Sequence, residues 1–353
     1  MHLFYLRSMD VDYIIVGCGL AGLNFCEVLK KHGKSFVVFD NHSQHSSSVA
    51  GGLYNPVILK RFTSVWKSDE QLQLALPVYK QLETELKIKL DYKTPVYRRF
   101  ISIEEQNNWF AASDKPNLSK FISTQLVKNT NVFIDAPFDY GEVLHSGRID
   151  TQLLIASYKD YLKTNNQLRE EAFDYDLIQD ETQLSYKDVH AKHIVYAEGF
   201  GLKKNPFFKD LPLDGSKGEL LTIHAPDLKI DYVLKSSVFL IPIGDDLYRI
   251  GATYEREDKT HDITVKAKEE LLNKLKTFLK CDFEVVGQVA GIRPTVRDRR
   301  PLVGNHKTMK NHYVLNGLGT RGVMIGPYVA KQLYHLIEDD IPLDSEMDIN
   351  RFS

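Results

Sequence analysis

Three glycines, Gly17, Gly19 and Gly22, follow the short apolar run Tyr13 to Val16, and no other stretch restricts the possible folds as much. The run reads as a buried strand. The glycines open an amphipathic segment that ends near His32, with Gly33 placed to stop a helix. A second apolar run, Ser35 to Phe39, then closes on Asp40. Strand, G-x-G-x-x-G, helix, strand and acid is the setting in which this motif binds a dinucleotide. Gly17 permits the tight turn, and Gly19 lets a pyrophosphate approach the backbone past Leu20 and Ala21. Gly22 lets helix and strand pack closely. Asp40, followed by Asn41, stands at the spacing for ribose hydroxyls, roughly 20 residues on. Phosphates would sit on the helix N-terminus, where free N–H groups and the dipole favour anions.

A length of 353 residues suits one large or two interleaved domains, and 43% apolar residues with 18 Phe and 18 Tyr supply a substantial core. The net charge of -2 argues against a dominant nucleic-acid surface, so nucleic acid is not an expected partner. Cys18, Cys26 and Cys281 make neither a disulfide framework nor a metal site, and a reducing, cytoplasmic setting is expected. No run approaches the length of a transmembrane helix. The first residues lack a positive segment and a proper apolar core, so no signal peptide is expected. Met9 is a candidate start, with residues 1–8 then extraneous or frayed.

Beyond Asp40, the polar stretch Asn41 to Ser48 reads as a solvated loop. Its His42 and His45 have no local carboxylate or cysteine to make a metal site. Ala50, Gly51 and Gly52 allow something flat to approach the backbone. Residues 69–90 carry helical spacing. Short strands are expected at Tyr97 to Ile103 and Asn131 to Phe133, a helix from Asp150 or Thr151, and a strand pair near 171–187. His193 to Gly199 is a buried strand ending in glycine, which belongs beside the first strand and makes the nucleotide domain discontinuous. From Leu211 to Tyr254 the period becomes two, an antiparallel sheet suited to a substrate chamber, and a helix follows from Thr264 to Leu279. Near the end, Gly317, Gly319 and Gly322 repeat the glycine spacing. No strand follows, so a second dinucleotide site is rejected; the helix start can instead face a polarised carbonyl or developing anion.

In order, Gly17 to Gly22 with Asp40, Ala50 to Tyr54, Ile194 to Gly199, Lys217 to Leu221, Ile250 to Thr253, Gly291 to Gly304 and Asn316 to Gly322 resemble the D-amino-acid-oxidase (DAO) superfamily of FAD-dependent amine oxidoreductases. The resemblance runs from about residue 10 to 337. Within it, Gly52 to Tyr54 and Gly317 to Gly322 look most like the oxidase domain of bifunctional tRNA wobble-uridine modification enzymes, whose methyltransferase domain is not expected in this chain. The resemblance implies an α/β fold, with a discontinuous Rossmann-type FAD-binding domain (9–90, 145–210 and 285–340) and an antiparallel substrate domain (91–144 and 211–284). It implies FAD, held non-covalently because no cysteine lies near 316–322, and hydride passing from an amine C–H to flavin N5. Ala50, Gly51 and Gly52 would lie against the flavin, with Ala197 and Gly199 also at the cofactor. The turn carrying Gly317, Gly319, Thr320, Arg321, Gly322 and Val323 would face its pyrimidine ring.

Arg293 falls where family members bind a substrate carboxylate, which its planar fork suits; the alternative is a structural arginine in the charged run with Arg297, Arg299 and Arg300. Tyr54 and Tyr248 are candidate pocket residues. The expected partner is a small amine or amino acid, with oxygen or a quinone as electron acceptor. Competing readings are an NAD-dependent dehydrogenase, a flavin-binding protein without turnover, and an oxidase of a modified tRNA nucleoside.

Overall fold

The computed structural model describes residues 8–180 and 183–352. Residues 1–7, most of the segment read as preceding the start, lie outside the described residues, as do 181–182 within the expected strand pair. The chain divides into two compact units and passes between them four times. One comprises residues 1–48, 152–215 and 292–353, the other 49–151 and 216–291. Residues 49–90 and 145–151, expected with the nucleotide part, therefore group with the second unit. The cause is local pairing, since Leu53–Tyr54 and Asp91–Tyr92 flank Gly147–Ile149 in one small antiparallel sheet.

In the first unit, Met9–Val16 lies parallel to Phe36–Phe39 on one side and to Val189–Tyr196 on the other. Leu168–Arg169 extends the sheet beyond Phe36–Phe39, and His312–Asn316 runs parallel to the end of Val189–Tyr196. Tyr13, Ile14, Ile15, Val37 and Val38 are buried, as expected of parallel strands covered on both faces. The helix Leu20–Lys31 begins directly after the first glycine turn, and Gly322–Asp339 after the second. Gly22 is required where it stands: a Cβ there would lie 2.0 Å from the Gly17 carbonyl oxygen. The segment after Asp339 docks through Val303 N–H donating to Met347 O at 3.0 Å, with Met347 buried.

The second unit is built on an eight-stranded sheet. From one edge its order runs Glu284–Arg293, Ser216–His224, Leu247–Gly251, Phe239–Gly244 and Val233–Lys235. Period-two patterning gives it two different faces. Leu221, Ile223, Tyr248 and Ile250 pack with Leu271 and Leu275 of the helix Val265–Lys276. Glu219 fixes the start of that helix, accepting from Thr264 N–H at 2.9 Å and Thr264 Oγ1 at 2.8 Å. Beside it Lys217, 1% exposed, is ion-paired with Asp258 and donates to Thr260 Oγ1 at 3.3 Å. The strand expected at Asn131 to Phe133 is instead a turn, because Asn131 Oδ1 accepts from Phe133 N–H at 2.9 Å. Among the described residues, no helix is long and apolar enough to cross a membrane.

Gly22→Ala is expected to destabilise the protein by about 1–3 kcal/mol through overpacking, read as a lowered thermal midpoint, whereas Gly33→Ala, whose Cβ would meet nothing within 4 Å, is expected to act only through its positive φ of 65°.

Candidate functional site

In an open parallel sheet, ligands bind outside the carboxyl ends of the strands. In the first unit, Val16, Phe39, Tyr196 and Asn316 end four parallel strands at that same edge. Gly17, Asp40, Ala197 and Gly317 follow them directly. Gly17 has φ of 101°, and a Cβ on it would lie 2.5 Å from the Ala197 carbonyl oxygen. The turn is drawn in by Gly17 N–H donating to Phe39 O and Ala197 N–H donating to Val16 O, both at 2.8 Å. Gly19 precedes the helix without a side-chain cap of its own. Ser47 contributes from the next loop, its Oγ accepting the Leu20 N–H at 3.1 Å. The stretch 41–48 is thus more than solvated loop.

Asp40 is held by three hydrogen bonds. Its Oδ2 accepts from Cys18 N–H at 2.6 Å; its Oδ1 accepts from Lys159 Nζ at 2.7 Å and His42 N–H at 2.9 Å. A carboxylate offers about four lone-pair positions, so one remains for a ribose hydroxyl. Lys159 comes from the helix Thr151–Thr164 and also meets His42 Nδ1 at 2.9 Å. A cavity of about 350 Å³ opens beside them, lined by Cys18, Gly19, His42, Ser47, Gln152 and Lys159 among others. That volume lies within the range of small-ligand sites.

The second glycine turn belongs to the same unit. Asn316 Nδ2 donates to Gly199 O at 3.0 Å, and its Oδ1 accepts Gly317 N–H at 2.7 Å. Gly317 and Gly319 have positive φ, and Gly319 N–H donates to Pro294 O at 3.1 Å. Gly322 begins the helix so close to the first one that its Cβ would lie 2.9 Å from Leu20 Cδ1. Two helix N-termini therefore meet at Leu20 and Gly322. Arg321 precedes the second helix, Thr320 lies before it, and Val323 is buried in its first turn. Arg293 ends the strand Glu284–Arg293 half-buried, whereas Arg297 and Arg299 are exposed.

Within the second unit, the segment Ala50 to Gly52 lies along Gly147–Ile149 and against the sheet. Ile149 N–H donates to Gly52 O at 2.9 Å, and a Cβ on Gly51 would lie 2.9 Å from Ile241 Cδ1. Tyr54 is buried, its hydroxyl donating to Asp91 Oδ1 at 2.7 Å. Tyr248 packs in the core against the helix side of the sheet. Both tyrosines thus stand among packed residues.

Residues 12–336 match the family described as FAD dependent oxidoreductase, DAO. The chain belongs to the DAO family. Glycine oxidase of Bacillus subtilis (strain 168) is 22% identical over 92% of this chain and 92% of its own length. The tRNA 5-methylaminomethyl-2-thiouridine biosynthesis bifunctional protein MnmC of Pseudoalteromonas atlantica is 21% identical over 90% of this chain, which spans 54% of that longer protein. Among solved structures, glycine oxidase from Geobacillus kaustophilus superposes with a TM-score of 0.79 at 19% identity, covering 98% of both chains. Iminodiacetate oxidase from Chelativorans sp. BNC1 gives 0.79 at 16%, covering 95% of this chain and 98% of that one.

As a DAO-family oxidoreductase, the protein uses FAD. The first unit fits that group: glycines admit no Cβ at the turn, Gly19 at the helix start lines the cavity with no side chain of its own, and Ser47, Asp40 and Lys159 border it. Ser47 and Lys159 escape sequence reading because only tertiary structure brings them to Leu20 and Asp40. Glu198 escapes as well, although it stands between Ala197 and Gly199. Its carboxylate accepts from Tyr175 Oη and from Asn205 Nδ2 at 2.7 Å. Burial dominates and pushes its carboxyl up to about 7, against the lowering effect of those two bonds.

Because the unfolded value is near 4.5, the unfolded chain ionises first as pH rises. Glu198 therefore withdraws stability between about pH 4.5 and 7, and the loss is complete above that. Denaturant titrations across this range are expected to show a shallower fall for Glu198→Gln than for the wild type.

Proposed function

We propose that the chain oxidises the C–N bond of a small amine or amino acid. The reading is carried by the convergence of four strand ends and two glycine-opened helix starts at one edge of the first unit. Ser47, Asp40, Lys159 and the Gly17 to Gly22 turn would hold the phosphate and ribose portion of FAD non-covalently. When bound, FAD supplies the two-electron acceptor for conversion of an amine to an imine, and water then hydrolyses the imine to a carbonyl compound and an amine or ammonia.

The protein's own residues bind and orient. The paired helix starts of Leu20–Lys31 and Gly322–Asp339 present N–H groups and positive dipole ends, which stabilise negative charge without reorganisation. Arg293 is assigned to the substrate carboxylate. Its half-burial separates it from its charged neighbours, for Arg300 is bound to Glu346 and Arg297 is exposed. A guanidinium offers a carboxylate two parallel hydrogen bonds, which lysine cannot reproduce. Tyr54 and Tyr248 carry no chemical role in this reading, since one is committed to Asp91 and the other to the core.

The purified protein is expected to be yellow and to release its flavin on acid precipitation. Anaerobic titration with glycine, sarcosine, proline, D-amino acids and a carboxymethylaminomethyl nucleoside is expected to bleach it with one of the amino acids. Bleaching by the nucleoside alone would replace this substrate class, and a colourless protein that FAD cannot reconstitute would overturn the reading. Arg293→Lys is expected to lower kcat/KM for a carboxylate-bearing amine by about tenfold or more, the loss of one charge-assisted hydrogen bond of about 1.5–3 kcal/mol.

A further inference from the structure

In the second unit's large sheet, the strand Val233–Lys235 lies between Val96–Arg99 and Phe239–Gly244. Register sets Lys235 beside Arg98 on one side and beside Phe239 on the other. The Lys235 ammonium is poorly satisfied there. Its Nζ stands 4.7 Å from the centre of the Phe239 ring, and its hydrogen bond, to Ser237 O, is 3.5 Å long. Among the described residues no carboxylate pairs with it.

Cations surround it instead. Arg98 Nη1 donates to Ser236 O at 3.1 Å, while its Nε donates to Glu105 Oε1 at 3.0 Å. Lys274, near the end of the helix Val265–Lys276, is bonded to Glu270 Oε1 at 2.5 Å. Ser237 Oγ ties that helix end to the strand by donating to Lys274 O at 2.9 Å. Lys60 is exposed and, among the described residues, has no carboxylate partner. Glu105 and Glu270 thus compensate Arg98 and Lys274 and leave Lys235 and Lys60 uncompensated. Burial, followed by the charges of Arg98, Lys274 and Lys60, brings the Lys235 amine down to about 8 from the usual lysine value.

An apolar neighbour and adjacent cations together make a lysine nucleophilic. Unlike arginine, lysine has an accessible neutral form that attacks a carbonyl carbon. Uncompensated positive charge beside it attracts an anion. A carbonyl compound that bears a carboxylate meets both conditions.

We propose that Lys235 is a reversible attachment site for a small 2-oxo acid, its amine taking the carbonyl and the charge of Lys60 holding the carboxylate. The lysine nitrogen bonds to the carbonyl carbon. The carbonyl oxygen then leaves as water with the two protons of the neutral amine, and a C=N bond remains. Nothing is oxidised or reduced, and hydrolysis reverses the step. The site lies wholly within the second unit and is independent of the amine-oxidising reading, although a 2-oxo acid is the class of product that oxidation of an amino acid releases.

The test traps the imine by reduction. The purified protein is incubated near neutrality with limiting glyoxylate and cyanoborohydride, and the occupancy of each lysine is read by peptide mass spectrometry. Acetaldehyde, which lacks the carboxylate, is run in parallel. Lys235 is expected to carry about tenfold or more label from glyoxylate than the exposed lysines do, and to favour glyoxylate over acetaldehyde more than they do. Lys60→Met is expected to abolish that preference while Lys235 stays reactive toward acetaldehyde. Lys235→Arg keeps the charge and removes the amine, so label is expected to vanish from its peptide. Glyoxylate label spread evenly over the lysines would overturn the site. Preferential labelling of Lys235 by both carbonyls alike, or a preference that survives Lys60→Met, would leave an activated amine without anion recognition and overturn the 2-oxo acid assignment. The wild-type comparison decides even where a variant fails to fold. Trapping needs no flavin turnover, so this test and the anaerobic titration fail separately.

Discussion

The parallel register of Met9–Val16 with Val189–Tyr196 supports everything the first unit does. It sets Val16 opposite Tyr196, so the turns that follow the two strands emerge side by side. Gly17 then has to be a glycine, since the Ala197 carbonyl occupies the place of its Cβ. A one-residue slip would reverse the facing of every side chain in the strand and separate the two turns. The contact of Gly322 with Leu20 depends on the same alignment, because His312–Asn316 takes its register from Ile194 to Tyr196.

Charge is organised around that scaffold in two ways. At the first glycine turn, Asp40 is compensated by Lys159 and backbone N–H groups before any ligand is considered. The anionic parts of a nucleotide are left to the helix start and Ser47. In the second unit, Lys217 is closed by Asp258 and sits near Glu219, whereas Arg249 is left with a backbone carbonyl. The contrast is one of partner, a carboxylate for Lys217 and a backbone carbonyl for Arg249. Lys217 is a group whose partner cannot be removed alone without stranding a buried charge.

Glycine positions were the most legible part of the sequence, because each demands a backbone geometry that other residues resist. Gly17 to Gly22, Gly51, Gly52 and Gly317 to Gly322 all stand at turns or close approaches, as their spacing implied. The change to period two also located the antiparallel sheet. What the sequence did not display is the facing of individual side chains across long separations. Tyr248 and Arg249 are adjacent, yet the pleat sends the tyrosine into the core and the arginine toward Ala50. Ser47, Lys159 and Glu198 acquire meaning only from partners distant in sequence or from burial. The grouping of residues 49–90 was likewise hidden, since it depends on a two-residue strand pairing with Gly147–Ile149.

The interleaving of the two units bears on the order in which the protein is made. Met9–Val16 leaves the ribosome with its parallel partner still more than half the chain away. Its apolar edge, Tyr13 to Val16, must wait while residues 49–151 of the second unit are synthesised. Phe36–Phe39 pairs early and covers one side, but the other stays open until residues 189–196 emerge. Such long-range closure slows folding and leaves an aggregation-prone strand exposed. The time for which that edge stays open then bears on the yield of folded protein alongside the strength of the finished core.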